Sequence, residues 1–519
     1  MRSMKKLSEL LHGIGVPWTL HGDASVQRIQ VDSRRVQPGE LFVALPGTRH
    51  DGHQFLREAL AQGAAALLVS RIEAVPPETP AWAWVEDTRE ALWRVAQRFY
   101  DDPSRQLLVV GVTGTNGKTT TTHLLRAIFE AAGLPCALFG TLGAQLPRLS
   151  EGHTHECAPT DLIPTGLTTP EVFELQALLH EAVARGAHAA VMEVSSHALD
   201  QRRADGIRFD AALFTNLTQD HLDYHPSMEA YANAKLRLFT ELARQSGKPF
   251  RAVINLDAEW GAWFAERAEG DLWTYGVHSD ARVRAEGVQL GRNGIRFTVV
   301  HSEGVGRFPV QLRLSAPYNL QNALGAVAAA LSLGLPVEAV QEGLQRVERV
   351  PGRFERVSID APFEVIIDYA HTPDALARLL HAARALQPSR LTVLFGCGGD
   401  RDPTKRPLMG AIAAELADRV ILTSDNPRTE APERILQQIL DGIPPESRHK
   451  VVAVEPDRRA AIALALQEAV AGEIILLAGK GHEEYQIIGS TKIPFSDRQT
   501  VLELFGSAYS GRSTGEMRV

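Results

Sequence analysis

Cysteine is scarce: three occur in 519 residues, Cys136, Cys157 and Cys397, odd in number and widely spaced. That excludes a disulfide framework and makes a reducing cytoplasm the expected setting. Long hydrophobic runs are absent too, and no stretch reaches the roughly 18 apolar residues of a membrane helix. The N-terminal MRSMKKLSELLHGIG carries basic residues, but charge breaks its apolar part and it lacks a small-residue cleavage site. It predicts a short amphipathic helix. Nor is there an excess of positive charge, since 54 Lys and Arg against 62 Asp and Glu leave a net charge of −8. That balance provides no global footprint for nucleic acid, and leaves room only for a local basic pocket around an anionic small molecule. No internal repeat is visible.

What remains is an ordinary globular composition, 44% hydrophobic, 22% charged and 6% aromatic. At roughly 150 residues per domain the length predicts three α/β domains. The first, 1–104, has β-like runs at 27–31, 40–45 and 64–69 and a helix through ALWRVAQRFY, ended by Asp101-Asp102-Pro103-Ser104. From 105 to 348, long apolar strands at 107–112, 189–194, 211–215 and 251–254 alternate with helices, which argues for a mainly parallel sheet. RVPGRFERV breaks the chain near 350, and 349–519 predicts a Rossmann-like domain with strands at 363–367, 391–395, 420–423, 451–454 and 474–477. The polar tail SAYSGRSTGEMRV is expected to fray.

The strand at 107–112 runs into TGTNGKTTTTHLL. Gly114 and Gly117 let the loop turn and aim its N–H groups inward, around Thr115 and Asn116, while the helix behind adds its positive end. Lys118 can then reach β- and γ-phosphates, and the Thr119 hydroxyl, followed by Thr120, suits Mg²⁺. Val112 stands where the broad phosphate-loop consensus has its first Gly, so the match is to the variant T-G-T-N-G-K-T. This domain is expected to bind a nucleoside triphosphate.

Glu193 ends an apolar strand, a good place for a Mg²⁺ ligand, although a surface acid capping the next helix has the same look. His221 and His225 have i, i+4 spacing, and His153, His155 and Cys157 cluster in a loop, but neither set has matched zinc spacing. Magnesium with ATP is the preferred expectation. On pattern alone Lys235, in MEAYANAKLRLF, is a solvated helix lysine. Val31-Asp32-Ser33-Arg34 reads alone as a capped turn, and Arg202-Arg203 as an anion clamp. In the last domain, Gly396-Cys397-Gly398-Gly399-Asp400-Arg401 and Ser424-Asp425-Asn426-Pro427-Arg428 each follow a strand. Asn-Pro is also an ordinary turn signal.

Together these segments resemble the Mur ligase family, the ATP-dependent amide-forming enzymes of peptidoglycan precursor synthesis, over essentially the whole chain. T-G-T-N-G-K-T is shared with the folylpolyglutamate synthases, while D-N-P-R and the D-S-R segment resemble the branch that adds meso-diaminopimelate. The resemblance implies a nucleotide-sugar domain (1–104), an ATP domain (105–348) and an amino-acid domain (349–519). It implies that Val31, Ser33, Thr168, Thr169, Ser195, Gln201 and Arg203 hold a UDP-N-acetylmuramoyl dipeptide. Arg401, Asp425, Asn426, Pro427, Arg428, Gly479 and Glu483 are implied for meso-diaminopimelate. Asn319, Asn322 and His371 join the phosphate loop at ATP. Lys118, His221 and Lys235 are the implied catalytic set, with Lys235 carbamylated by CO₂. The carbamate, Glu193 and His221 would hold a second Mg²⁺ beyond that at Thr119. The expected reaction runs through an acyl phosphate, in a monomer. A nucleotide-switched binding module is the competing class, which would hydrolyse or exchange ATP without regard to amino acid.

Overall fold

The computed structural model describes residues 4–47, 50–148 and 160–509. The His153–Cys157 cluster and most of the polar tail lie outside those residues. Three sheets organise the rest, and each is positioned by apolar strands that feed cores on both faces.

In the first sheet the order is Trp18–His21, Trp82–Val85, Ala66–Val69, Leu41–Val43, Ile29–Gln30, parallel except for Trp18–His21. The predicted N-terminal helix is Leu7–Leu11, whose three leucines are buried. Helix Thr88–Phe99 starts where the Asp87 carboxylate accepts the N–H groups of Arg89 and Glu90, satisfying two orphan donors. Its apolar face joins Val172 and Phe173 from the next unit, so this sheet is docked onto the central one. Asp101 and Asp102 end it in the left-handed region, φ 59° and 49°.

The central sheet has eleven strands among the described residues. Its middle is parallel, in the order Cys136–Gly140, Ala189–Glu193, Leu108–Thr113, Ala211–Phe214, Arg251–Asn255, Asp271–Gly276. Leu108–Thr113 is apolar up to its last residue because Val110 and Val112 pack into one core and Val109 into the other. At one edge Gly143–Pro147 and Thr160–Ile163 run antiparallel. At the other, Val283–Gly291, Gly294–His301 and Arg307–Leu312 form a meander. These edge strands were not expected. In Gly294–His301 every second residue is buried, as one-sided sheets dictate, so no continuous apolar run marks it.

The last sheet runs Glu355–Arg356, Glu364–Asp368, Ile474–Ala478, Leu391–Phe395, Arg419–Thr423, Val451–Glu455, with only the first antiparallel. A hairpin, Tyr485–Ile488 with Thr491–Pro494, follows it. Among the described residues no helix is long and apolar enough to cross a membrane.

Candidate functional site

The phosphate loop leaves the carboxyl end of Leu108–Thr113 and enters helix Lys118–Ala131. Gly114 and Gly117 have φ of 147° and 89°. A Cβ on Gly114 would overlap Thr215 Oγ1, and one on Gly117 would overlap Asn322 Oδ1, so both glycines are required for the loop to close. The loop is braced from below, since the Thr115 N–H donates to the Asn216 carbonyl at 2.8 Å and Asn116 N–H to Asn216 Oδ1 at 2.9 Å. Lys118 Nζ donates to the carbonyls of Gly114 and Thr115, both at 2.9 Å. Burial lowers its pKa, opposed by the Glu193 carboxylate.

This loop floors a cleft of about 260 Å³ between the central and last sheets, lined also by Thr120, Glu193, His221, Asn322 and His371. Asn319 is buried and accepts from Asn322 Nδ2 at 3.0 Å; it supports the wall rather than lining it. From the last unit, Asp374 accepts from Asn116 Nδ2 at 3.1 Å and Thr218 Oγ1 at 3.2 Å. Arg353 Nη2 donates to Thr119 Oγ1 at 3.1 Å while its guanidinium lies over the Tyr369 ring. Arg353 and Asp374 were missed. The only sign of Arg353 was the helix break RVPGRFERV, and nothing local marks a residue that acts across 234 positions.

Three oxygens gather beside the loop: Glu193 Oε2 accepts from Thr119 Oγ1 and from Thr141 Oγ1, each at 3.1 Å. Glu193 is buried, not the surface acid that its position also allowed. His221 sits at φ 55°, and burial holds its imidazole below the usual range despite the pull of Asp220. It belongs to a ring cluster with His197, whose centroid is 4.8 Å away, and Tyr231 at 6.0 Å. Reading Lys235 as solvated is wrong. It is 1% exposed, its Nζ donates to the Gly114 carbonyl at 3.0 Å, and it lies over the Tyr231 ring at 4.5 Å. Among the described residues no carboxylate pairs with it. Burial, then the Lys118 charge, hold its ammonium well below the ordinary lysine range.

The expected dipeptide residues divide between two places. Thr168, Thr169, Ser195 and Arg203 assemble beside Glu193. Thr168 Oγ1 meets Thr141 Oγ1 at 3.1 Å, and Thr169 Oγ1 donates to the Glu193 carbonyl at 2.9 Å. The Ser195 hydroxyl caps helix Ser196–Asp200. Arg203 Nη1 donates to the Thr169 carbonyl at 2.5 Å, whereas Arg202 pairs with Glu90 of the first unit and Asp205. The two arginines therefore do not form one clamp. Gln201 Nε2 donates to Tyr224 Oη at 3.2 Å. Val31 and Ser33 lie in the first unit, where the buried Ser33 hydroxyl donates to Glu58 Oε2 at 2.8 Å.

In the last unit two loops meet at the carboxyl ends of Arg419–Thr423 and Ile474–Ala478, where open α/β sheets place ligands. Asn426 Nδ2 donates to Glu483 Oε2 at 2.8 Å, and a Cβ on Gly479 (φ 108°) would lie 3.7 Å from the Asp425 carboxyl carbon. Pro427 is buried between Asn426 and Arg428. Arg428, at φ 51°, donates from Nη1 to the Gly399 carbonyl at 2.6 Å. A Cβ on Gly398 would sit 3.0 Å from Arg428 Nη1 and 3.7 Å from Arg401 Cγ, so that loop brings both arginines together. Arg401 is exposed. Lys480 is fully buried between Glu483 Oε2 at 3.2 Å, Asn426 Oδ1 at 3.2 Å and Asp425 at 3.6 Å. It keeps two carboxylates and an amide in one charged network.

The model of the Mur ligase family catalytic domain matches residues 25–100, that of the Mur ligase middle domain 112–330, and that of the Mur ligase glutamate ligase domain 352–481. The UDP-N-acetylmuramoyl-L-alanyl-D-glutamate–2,6-diaminopimelate ligase of Gloeobacter violaceus is 48% identical over 503 residues, 96% of this chain and 97% of its own. Its namesake in Geobacter sulfurreducens is 44% identical over 512 residues, covering 95% and 98%. A solved structure of a ligase of that name superposes with a TM-score of 0.63 at 32% identity, covering 93% of this chain and 96% of its own. MurF from Acinetobacter baumannii shares the fold, with a TM-score of 0.64 at 22% identity over 98% of each chain. The chain belongs to the Mur ligase family.

Proposed function

We propose that this protein is the ATP-dependent ligase that adds meso-2,6-diaminopimelate to UDP-N-acetylmuramoyl-L-alanyl-D-glutamate, in cytoplasmic peptidoglycan precursor synthesis. The carrying observation is the meeting of Asn426, Arg428, Gly479 and Glu483 at the carboxyl ends of two strands of the last unit, with Asn426 hydrogen-bonded to Glu483. The same unit closes the phosphate-loop cleft through Arg353 and Asp374. The working division is 1–104 for the uridine nucleotide, 105–348 for ATP and 349–519 for the amino acid.

The free carboxylate of the D-glutamyl residue attacks the γ-phosphorus of ATP, and ADP leaves. The uncharged amine of diaminopimelate then attacks the acyl phosphate, the nitrogen gives up one proton to solvent, and the tetrahedral intermediate collapses with loss of phosphate. Loop N–H groups hold the phosphates and Lys118 neutralises the charge that develops. Arg203, with Thr168, Thr169, Ser195 and Gln201, orients the muramoyl peptide. Thr119, Glu193 and Thr141 offer the hard oxygen donors that Mg²⁺ prefers, so the residues fit that ion. When bound, Mg²⁺ supplies charge neutralisation at phosphate oxygens. Glu193, His221 and Lys235 as a carbamate would hold a second.

The carbamate reading rests on an amine buried, among the described residues, without a carboxylate partner. Its uncharged nitrogen adds to CO₂, an N–C bond forms, and one proton leaves to solvent. Lys235→Ala is expected to be nearly inactive and partly restored by short carboxylates. Protein equilibrated with ¹³C-bicarbonate should show a carbamate carbon resonance that Lys235→Ala lacks. An active wild type with no such resonance would refute it.

The function is tested by phosphate release against a panel of amino acids with the muramoyl dipeptide. Release should require both the dipeptide and meso-diaminopimelate. Release indifferent to the amino acid would instead favour a nucleotide-switched module, and release with glutamate and a folate a polyglutamating enzyme.

A further inference from the structure

Arg458 has no role in the reaction described above, yet its side chain and that of Asp497 are both 0% exposed. It is the first residue of helix Arg458–Gln467, where the positive end of the helix disfavours a cation. An ion pair buried this deeply is often no more stable than apolar residues of the same volume. Its contacts give it a different use. Nε donates to Asp497 Oδ1 and Nη2 to Asp497 Oδ2, both at 2.7 Å, a bidentate fork. The remaining donors reach two backbone carbonyls, Ala478 at 3.1 Å from Nη2 and Ser424 at 3.4 Å from Nη1.

Those two carbonyls belong to the residues immediately before the two amino-acid loops. Ser424 precedes Asp425-Asn426-Pro427-Arg428, and Ala478 precedes Gly479-Lys480-Gly481-His482-Glu483. Their parent strands are not neighbours, because Leu391–Phe395 lies between them. No ladder hydrogen bond therefore ties one loop root to the other. The guanidinium does so, and Asp497 at the start of helix Asp497–Tyr509 holds the guanidinium in register.

We infer that Arg458 and Asp497 form a positioning clasp that sets the spacing of the two loops on which meso-diaminopimelate is read. The clasp rests on the function proposed above. It touches no substrate. It acts through the separation of Asn426 and Arg428 on one loop from Gly479 and Glu483 on the other. Planar fork geometry is the property it needs, and an ammonium of equal charge does not supply it.

Arg458→Lys and Asp497→Asn test this in the full-length enzyme, with kcat and the three KM values measured separately. A clasp that positions the amino-acid loops predicts that Arg458→Lys raises the KM for meso-diaminopimelate by about tenfold or more, leaving kcat and the other two KM values within about twofold. Asp497→Asn should move the same KM in the same direction by less. A purely structural pair would lower the active fraction, reducing kcat with all KM values unchanged, and that outcome overturns the inference. Wild-type KM values in both variants overturn it equally. Should Arg458→Lys not fold, Asp497→Asn decides: a rise in the diaminopimelate KM alone supports the clasp, and an unmoved one overturns it. A wild type whose phosphate release ignores diaminopimelate would sink the proposed function and the clasp with it. A diaminopimelate-dependent wild type with an unmoved KM in the variants sinks the clasp alone.

Discussion

Lys118→Ala is expected to lower kcat by about 100- to 1,000-fold, the loss typical of removing one preorganised charge stabiliser from a transition state. The lysine stands where the phosphate loop turns into its helix, with Nζ within 2.9 Å of two loop carbonyls and only half buried. Removing it deletes no apolar packing, and the loop keeps its brace on Asn216. The melting temperature and the affinity for the uridine nucleotide should therefore change little. Gly114 adds a second consequence, because its carbonyl accepts from both Lys118 at 2.9 Å and Lys235 at 3.0 Å. Two ammonium groups on one carbonyl repel, so Lys118→Ala should raise the pKa of Lys235 and reduce the proposed carbamylation at fixed CO₂. The ¹³C carbamate signal would then weaken along with turnover. Turnover within about threefold of wild type, a barrier change well under 1.4 kcal/mol, would refute the phosphate-loop assignment.

The phosphate loop was legible because its chemistry is contiguous: strand, two glycines, Lys118 and Thr119 lie within a dozen residues. The parallel strands were legible for a related reason, since burial on both faces leaves a nearly continuous apolar run such as that of Leu108–Thr113, polar only at its last residue. The features that escaped are those created by the fold. Lys235 has the pattern of a solvated helix lysine, and only the packing of its helix against Gly114, with Tyr231 one turn earlier on the same helix, buries it. Arg353 and Asp374 reach the loop from the last unit, at separations of 234 and 258 residues. Arg202 and Arg203 are adjacent in the chain but face different partners, because Arg202 takes φ 57° and meets Glu90 across the first interface. Lys480 and Arg458 carry no local mark at all, since a buried charge is defined by the groups around it.

Arg428→Ala is expected to cost meso-diaminopimelate addition about 2–5 kcal/mol in kcat/KM, tens- to thousands-fold, the range for truncating a charge-paired contact. The guanidinium is to form paired hydrogen bonds with the distal carboxylate of diaminopimelate, with Asn426 reading the same end. L-lysine has only hydrogens there and would leave that guanidinium desolvated and unpaired. The variant should therefore narrow the preference for diaminopimelate over lysine chiefly by losing the former. The backbone favours this residue staying where it is. Arg428 N–H donates to the Ile487 carbonyl at 3.0 Å and its carbonyl accepts from Gly489 at 2.8 Å, so the hairpin pins it at φ 51° from both sides. Alanine keeps those backbone bonds, and the loop should hold its shape while losing the charge. Binding of the uridine nucleotide, proposed above for the first unit, should be unchanged, which separates a recognition defect from misfolding. Equal use of L-lysine and meso-diaminopimelate by the wild type would end the D-N-P-R assignment and leave the ligase itself standing.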